Sequence, residues 1–258
     1  MNTLISISDL ITESWNFFSK DWKTIVKRNA WLVPVMVVYF ALYFGGVAMK
    51  IEWLTLLGLA VLLIGSILVT VHAMRYVLHA DGNVTQATAE KSISQLFLPV
   101  CIVGIIVALG SLGGFILLIL PGIWFRVASA FSFAAYLEEG QGGTNAVGRS
   151  LELVKGRWWK TLWRLLLPSI VFQAIIGLIS FATFIIPIIL LAVGGAGAMM
   201  RFSEGGSPAL SGGSLPILIA AGILFIAALI VNLGLSLVAT GLAQVVQAKL
   251  FHSLKASR

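Results

Sequence analysis

Long apolar runs separated by short polar connections set the plan of this chain. Residues 31–48, 53–71, 96–120, 165–198 and 216–248 contain no Asp, Glu, Lys or Arg. A bilayer core about 30 Å thick takes about 20 apolar residues in a helix, so each run is long enough, or nearly so, to cross. A sixth, 123–137, is shorter and holds Arg126. It is predicted to cross as well, because Pro121-Gly122 reads as a tight turn that reverses the chain and Glu138-Glu139 as a polar exit. The expected fold is all-α: one membrane domain over residues 1–258, a polytopic bundle of six transmembrane helices at about 22–48, 53–78, 95–120, 123–139, 157–190 and 215–250.

Two polar stretches carry a different period. Asp9, Glu13, Asn16, Lys20, Lys23 and Lys27 recur at steps of three and four, opposite Ile7, Leu10, Ile11, Phe18, Trp22 and Ile25. That pattern predicts an amphipathic helix at about 5–21 lying on the membrane interface. Val147, Leu151, Val154, Trp158 and Leu162 form a similar stripe, which predicts a second interfacial helix at about 144–156, capped by Thr144 or Asn145 and ended by Gly156. Both lead into a shared step, Trp22-Lys23-Thr24-Ile25 and Trp159-Lys160-Thr161-Leu162. A third copy over 83–97, with Asn83 and Gln86 as a capping box, lacks that step. Selection of Trp and Lys at any cytoplasmic interface accounts for the same letters without a repeat.

The last two apolar runs exceed one crossing. Pro187 and Gly194-Gly195-Ala196-Gly197 predict a kink and a loosened outer end in the fifth. Gln244, Gln247, Lys249 and His252 predict that the sixth continues into the cytoplasm, and the Gly- and Ser-rich 201–214 reads as a mobile outer loop.

Charge then orients the bundle. Of seventeen Lys and Arg, fourteen fall in alternate connections: Lys20, Lys23, Lys27 and Arg28; Arg75 and Lys91; Arg149, Lys155, Arg157, Lys160 and Arg164; Lys249, Lys255 and Arg258. Lys50, Arg126 and Arg201 are left on the other side. The positive-inside rule therefore places both termini in the cytoplasm of a cell (inner) membrane. Trp22, Trp31, Trp158, Trp159 and Trp163 are expected near the cytoplasmic interface, Trp53 and Trp124 near the outer one. The start of the chain has no basic segment followed by an apolar block, so the first helix is expected to act as its own insertion signal.

Composition agrees with a lipid solvent. The chain is 59% hydrophobic and 10% charged, against about 25% charged in soluble domains. Its net charge of +7 flanks apolar runs with no soluble stretch able to fold a nucleic-acid-binding domain. Cys101, the single cysteine, excludes a disulfide framework.

The run Leu120-Pro121-Gly122-Ile123-Trp124-Phe125-Arg126, followed by Ala146-Val147-Gly148-Arg149-Ser150-Leu151-Glu152-Leu153-Val154-Lys155-Gly156, resembles a bacterial and archaeal group. These are six-helix proteins similar to the membrane domain of glycerophosphoryl diester phosphodiesterases. The resemblance implies an all-helical membrane bundle and marks Pro121, Gly122, Arg126, Ala146, Arg149, Ser150, Lys155 and Gly156 as motif residues of unassigned role. In the enzymes that lend the group its name a separate soluble barrel carries catalysis. This chain has no room for one, so no catalytic residue is carried over.

The ionisable inventory points the same way. Phosphodiester hydrolysis needs clustered carboxylates with a metal or His pair, whereas the ten Asp and Glu lie mostly at membrane exits. No catalytic, metal or cofactor set is read. His72, Arg75 and His79 share a helical face and suit either an ion or phosphate site or the snorkelling end of a helix. Arg126 suits an outer anchor or a cavity wall. Gln173 and Asn232 are expected to bond across helices, and Ala128, Ala130, Ser132 and Ala134 to let the fourth helix pack closely.

Arg149, Lys155, Arg157, Lys160 and Arg164 are the densest basic cluster, suited to anionic lipid or to setting topology. The expected function is non-catalytic: membrane lipids with anionic head groups, or an unidentified protein, are the partners. The alternative is a transporter or lipid-handling protein, with Gly110, Gly113, Gly114 and Pro187 opening a central cavity.

Overall fold

Apolar side chains that find no water partner leave the backbone only its own hydrogen bonds, and in lipid a helix satisfies them all. The computed structural model, which describes residues 4–80, 93–140, 142–203 and 214–257, follows that rule. Every regular element among them is an α-helix: α1 (Ile7–Asn29), α2 (Leu32–Met49), α3 (Glu52–Ala80), α4 (Ile93–Leu117), α5 (Ile119–Ala128), α6 (Ser132–Glu139), α7 (Thr144–Val154), α8 (Trp158–Ser203) and α9 (Ser214–Ala256). Among the described residues, six helical spans are long and apolar enough to cross a membrane: Ile7–Met49, Glu52–Ala80, Gln95–Leu117, Ile119–Glu139, Trp158–Gly194 and Leu215–Ala256. The predicted third surface helix over 83–97 and the 201–214 loop fall largely outside the described residues.

The chain divides into two compact units, Met1–Ser169 with Thr240–Arg258, and Ile170–Ala239. In the second, the expected cross-helix bond is present for one of its two candidates. Asn232 Nδ2 donates to Thr183 Oγ1 at 2.9 Å and to Ala228 O, while Gln173 is exposed. Phe184 and Phe225 pack with ring centroids 5.6 Å apart. The helix runs on through Pro187 and the Gly194–Gly197 run to Ser203, so the expected loosening of its outer end is not seen.

The first unit holds two helical hairpins, α2–α3 and α4–α5, together with α1, α6, α7, the start of α8 and the end of α9. Ser6 caps α1 through Asp9 N. The helix continues past the expected end near residue 21, with only Asp21 leaving helical geometry (φ −118°, ψ 19°). The chain breaks instead at Ala30-Trp31, and α2 begins at Leu32. Gly46, Gly58 and Gly65 set the contact between α2 and α3: a Cβ at Gly46 would lie 2.7 Å from Thr55 N.

The second hairpin differs from expectation at its turn. The chain reverses at Leu118, which is extended (φ −169°, ψ 153°), and Pro121-Gly122 lie inside the first turn of α5. Proline is stable there because the first helical N–H groups have no partner in any case. Gly122 serves packing rather than turning, since a Cβ on Gly114 would come within 2.8 Å of Gly122 Cα. The return limb then breaks again at Ser129–Phe131 before α6.

Candidate functional site

The break in the return limb of the second hairpin is the point from which one end of the first unit is organised. A broken helix frees backbone groups, and buried groups must be satisfied. Ser150 on α7, itself fully buried, donates to Ala128 O at 2.6 Å and accepts from Phe131 N at 3.0 Å. Gln247 on α9 donates to Ala130 O. Ser129 and Ser132 bond to Phe125 O and Ser129 O at 2.7 and 2.8 Å. Side chains from two other helices thus replace the missing helical bonds, and Ala128, Ser132 and Ala134 are buried around them, as their small size requires.

α7 reaches this place because one face, Ala146, Val147, Ser150, Leu153 and Val154, is buried, and the helix packs on α6, α4 and α5; Leu151 and Trp158 of the expected stripe are only half-buried. Its start is not capped by Thr144 or Asn145. Gly143 takes the cap position with φ +60° and no side-chain bond is made, a conformation open to glycine. Gly156, at φ +75°, ends the segment as expected. The fold-back delivers the start of α8 to α5: Trp158 Nε1 donates to Trp124 O at 3.1 Å. Trp124 and Trp158, expected at opposite membrane faces, are therefore neighbours, a consequence of α7 packing beside α5 instead of standing apart on a surface.

An ionic lattice stands at the other end of α6. Glu138, with a side chain only 3% exposed, accepts from His252 Nε2 at 3.0 Å and from Lys255 Nζ. Glu139 accepts from Arg149 Nε at 2.8 Å, and Glu152 from Arg149 Nη1 at 3.4 Å. The hydrogen bond to Glu139, above all, holds the Arg149 guanidinium even more firmly protonated than usual. Deeper in the unit, Asn29 and Gln244 exchange two amide bonds of 3.1 Å, both residues buried, and Asn29 also donates to Ile25 O. Gly241 lies against Ile25 and Phe18 and allows that approach.

The predicted basic cluster separates into roles. Arg149 is neutralised by two glutamates. Arg157 is committed to the Ser257 hydroxyl and carbonyl, and Arg164 to Ile5 O at 2.7 Å and Lys160 O. Lys155 and Lys160 are exposed. Of the motif residues, Gly122, Ala146 and Ser150 are buried, while Pro121, Lys155 and Gly156 are exposed. Arg126 is exposed in a crevice of about 560 Å³ lined by Leu63, Ser66 and Thr70 of α3 and by Gly104 of α4. No carboxylate lies in salt-bridge range of it among the described residues.

The two Trp-Lys-Thr steps each follow a backbone irregularity, Asp21 before Trp22 and Gly156 before Trp159. Their surroundings differ: Thr161 is fully buried at the start of α8, whereas the first copy lies inside α1. Sequence reasoning missed the roles of Ser150, Asn29 and Gln244 in holding helices together. A small hydroxyl in an apolar stripe and an amide at each membrane boundary were the available signals. No group of three or more His, Cys, Asp or Glu able to hold a metal occurs among the described residues.

No protein-family model matches the chain, and no curated protein or solved structure is significantly similar to it.

Proposed function

We propose that this is a non-catalytic, multi-pass protein of the cytoplasmic (inner) membrane, with both termini in the cytoplasm, that presents a basic face to anionic lipid head groups. In that reading it is similar to the six-helix group named above, without the catalytic barrel. The single observation that carries it is the commitment of Arg157 and Arg164 to Ser257 and Ile5. Those bonds gather α1, α8 and α9 into one end and leave Lys155 and Lys160 exposed beside them. On the same end α1 buries Leu10, Phe18 and Ile25 and exposes Lys20, Lys23 and Lys27, the division expected of a helix at a charged interface.

Each basic residue near an anionic surface contributes about 1 kcal/mol. A Lys155→Gln/Lys160→Gln variant should therefore lose about tenfold or more of its enrichment for phosphatidylglycerol over phosphatidylcholine in mixed nanodiscs. Unchanged enrichment defeats the reading.

Arg126 favours a second reading, a transporter or lipid-handling protein, because an uncompensated guanidinium in a crevice is a means of drawing an anion among apolar helices. Flux of phospholipid or solute in proteoliposomes that falls on Arg126→Gln supports it, and flux indistinguishable from protein-free vesicles removes it.

A further inference from the structure

A second groove lies on the α2–α3 hairpin, away from the broken limb. Its bed is Val35, Val38, Val61 and Leu68, it closes at one end on Trp31 and His72, and its volume is about 590 Å³. From Val61 to His72 the α3 axis rises about 16 Å. Half a bilayer core is about 15 Å. The apolar bed is thus about as long as one leaflet is deep.

The end at His72 is cationic. Arg28, at the foot of α1, donates from Nη1 to His72 Nε2 at 3.2 Å, and its guanidinium lies 4.7 Å from the Tyr76 ring centroid. A guanidinium only donates, so the imidazole accepts on Nε2. Both neighbours hold Arg28 in place without neutralising it. No carboxylate is within salt-bridge range of Arg28 among the described residues. Most of the guanidinium's five N–H donors are left for an anion.

We infer that this groove is a built site for one anionic phospholipid, its phosphate on Arg28 beside His72 and Trp31, and an acyl chain along Val35, Val38, Val61 and Leu68. A cation fixed by uncharged partners at one end of a leaflet-length apolar bed matches the two ends of that ligand. The inference deepens the lipid-binding reading and rests on its membrane placement, but uses none of the residues of the α7–α8 cluster.

The test is native mass spectrometry of the full chain in non-ionic detergent, titrated with phosphatidylglycerol. Arg28→Gln keeps a donor for His72 and should weaken retention of the first bound lipid about tenfold or more, the range of a charge-assisted hydrogen bond. Val38→Trp, at a position already 46% exposed, fills the bed from its open side and should weaken it similarly. Lys50→Gln makes the same charge change at the exposed turn of the same hairpin, at the opposite end of α3 from His72, and should alter it less than twofold. Equal loss in Lys50→Gln, or no loss in either Arg28→Gln or Val38→Trp, overturns the site, as does displacement of the lipid by millimolar glycerol phosphate alone. Carbonate resistance of the wild-type membrane fraction reads the membrane placement separately, and the Lys155/Lys160 variant in the same titration reads the other cluster. Failure of either is therefore told apart from failure of the groove.

Discussion

The two hairpins of the first unit share one construction and end in opposite chemistry. Both are antiparallel helix pairs brought together at glycine, Gly46, Gly58 and Gly65 in one, Gly110, Gly114 and Gly122 in the other. The α2–α3 hairpin turns at Lys50-Ile51-Glu52, with Lys50 in the left-handed region (φ 56°) and its N–H bonded back to Gly46 O and Val47 O. The α4–α5 hairpin turns at Leu118, and Ile116 to Leu120, all apolar, are 69–77% exposed. Its turn leaves few unpaired donors: Leu118 N bonds Gly114 O, Gly122 N bonds Leu118 O, and Pro121 has no N–H. A charged tip is stable in water and an apolar, nearly satisfied one in hydrocarbon. Helix length alone does not say where a hairpin stops; the side chains at its turn do.

In a Cys101→Ala background, Ile51→Cys should react with a membrane-impermeant maleimide applied to intact cells. Leu118→Cys should react at least tenfold more slowly until detergent is added; equal labelling of the two tips would remove the contrast. A charge comes next: Leu118→Lys should cost about 3 kcal/mol, the scale for Lys at a helix centre, while Ile51→Lys should change stability by less than about 0.5 kcal/mol, both read by unfolding in mixed micelles. Only the second hairpin has a broken return limb, so Ser150→Ala, which strips Phe131 N and Ala128 O of a shared partner, should cost about 1–3 kcal/mol and raise hydrogen exchange at Phe131. What the hairpins have in common should respond alike. Gly46→Ala and Gly114→Ala each meet backbone and should cost about 1–3 kcal/mol, whereas Gly113→Ala, with open space around its Cβ position, should leave the unfolding midpoint nearly unchanged.

What could be read from the sequence follows the range of the forces involved. Apolar runs are local, and the described residues hold six helices long and apolar enough to cross a membrane, as hydropathy predicts. Helix ends set by distant partners do not. Pro121-Gly122 signals a turn and a first helical turn equally well, and only the packing of Gly122 on Gly114 decides between them. The break at Ser129–Phe131 was hidden because the groups that stabilise it, Ser150 and Gln247, lie 19 to 117 residues away. Thr144 and Asn145 are good caps in isolation, yet Gly143 takes that position where α7 turns back onto α6. The basic cluster was legible as a run of charge. That Arg149, Arg157 and Arg164 are spent inside the protein, and Lys155 and Lys160 are not, depends on carboxylates and oxygens supplied by other helices.

Ile5 N donates to Ser253 Oγ across 248 residues, and Asn29 pairs with Gln244 across 215. A ribosome adds about 5–20 residues per second, so α1 waits on the order of ten seconds or more for the helix that completes it. Through that interval Asn29 and Glu138 have not met Gln244, His252 and Lys255, and the break at Ser129–Phe131 lacks Gln247. The polar end is therefore the last part of the first unit to close. Biogenesis of this chain should be most sensitive to quality control in the seconds before α9 arrives.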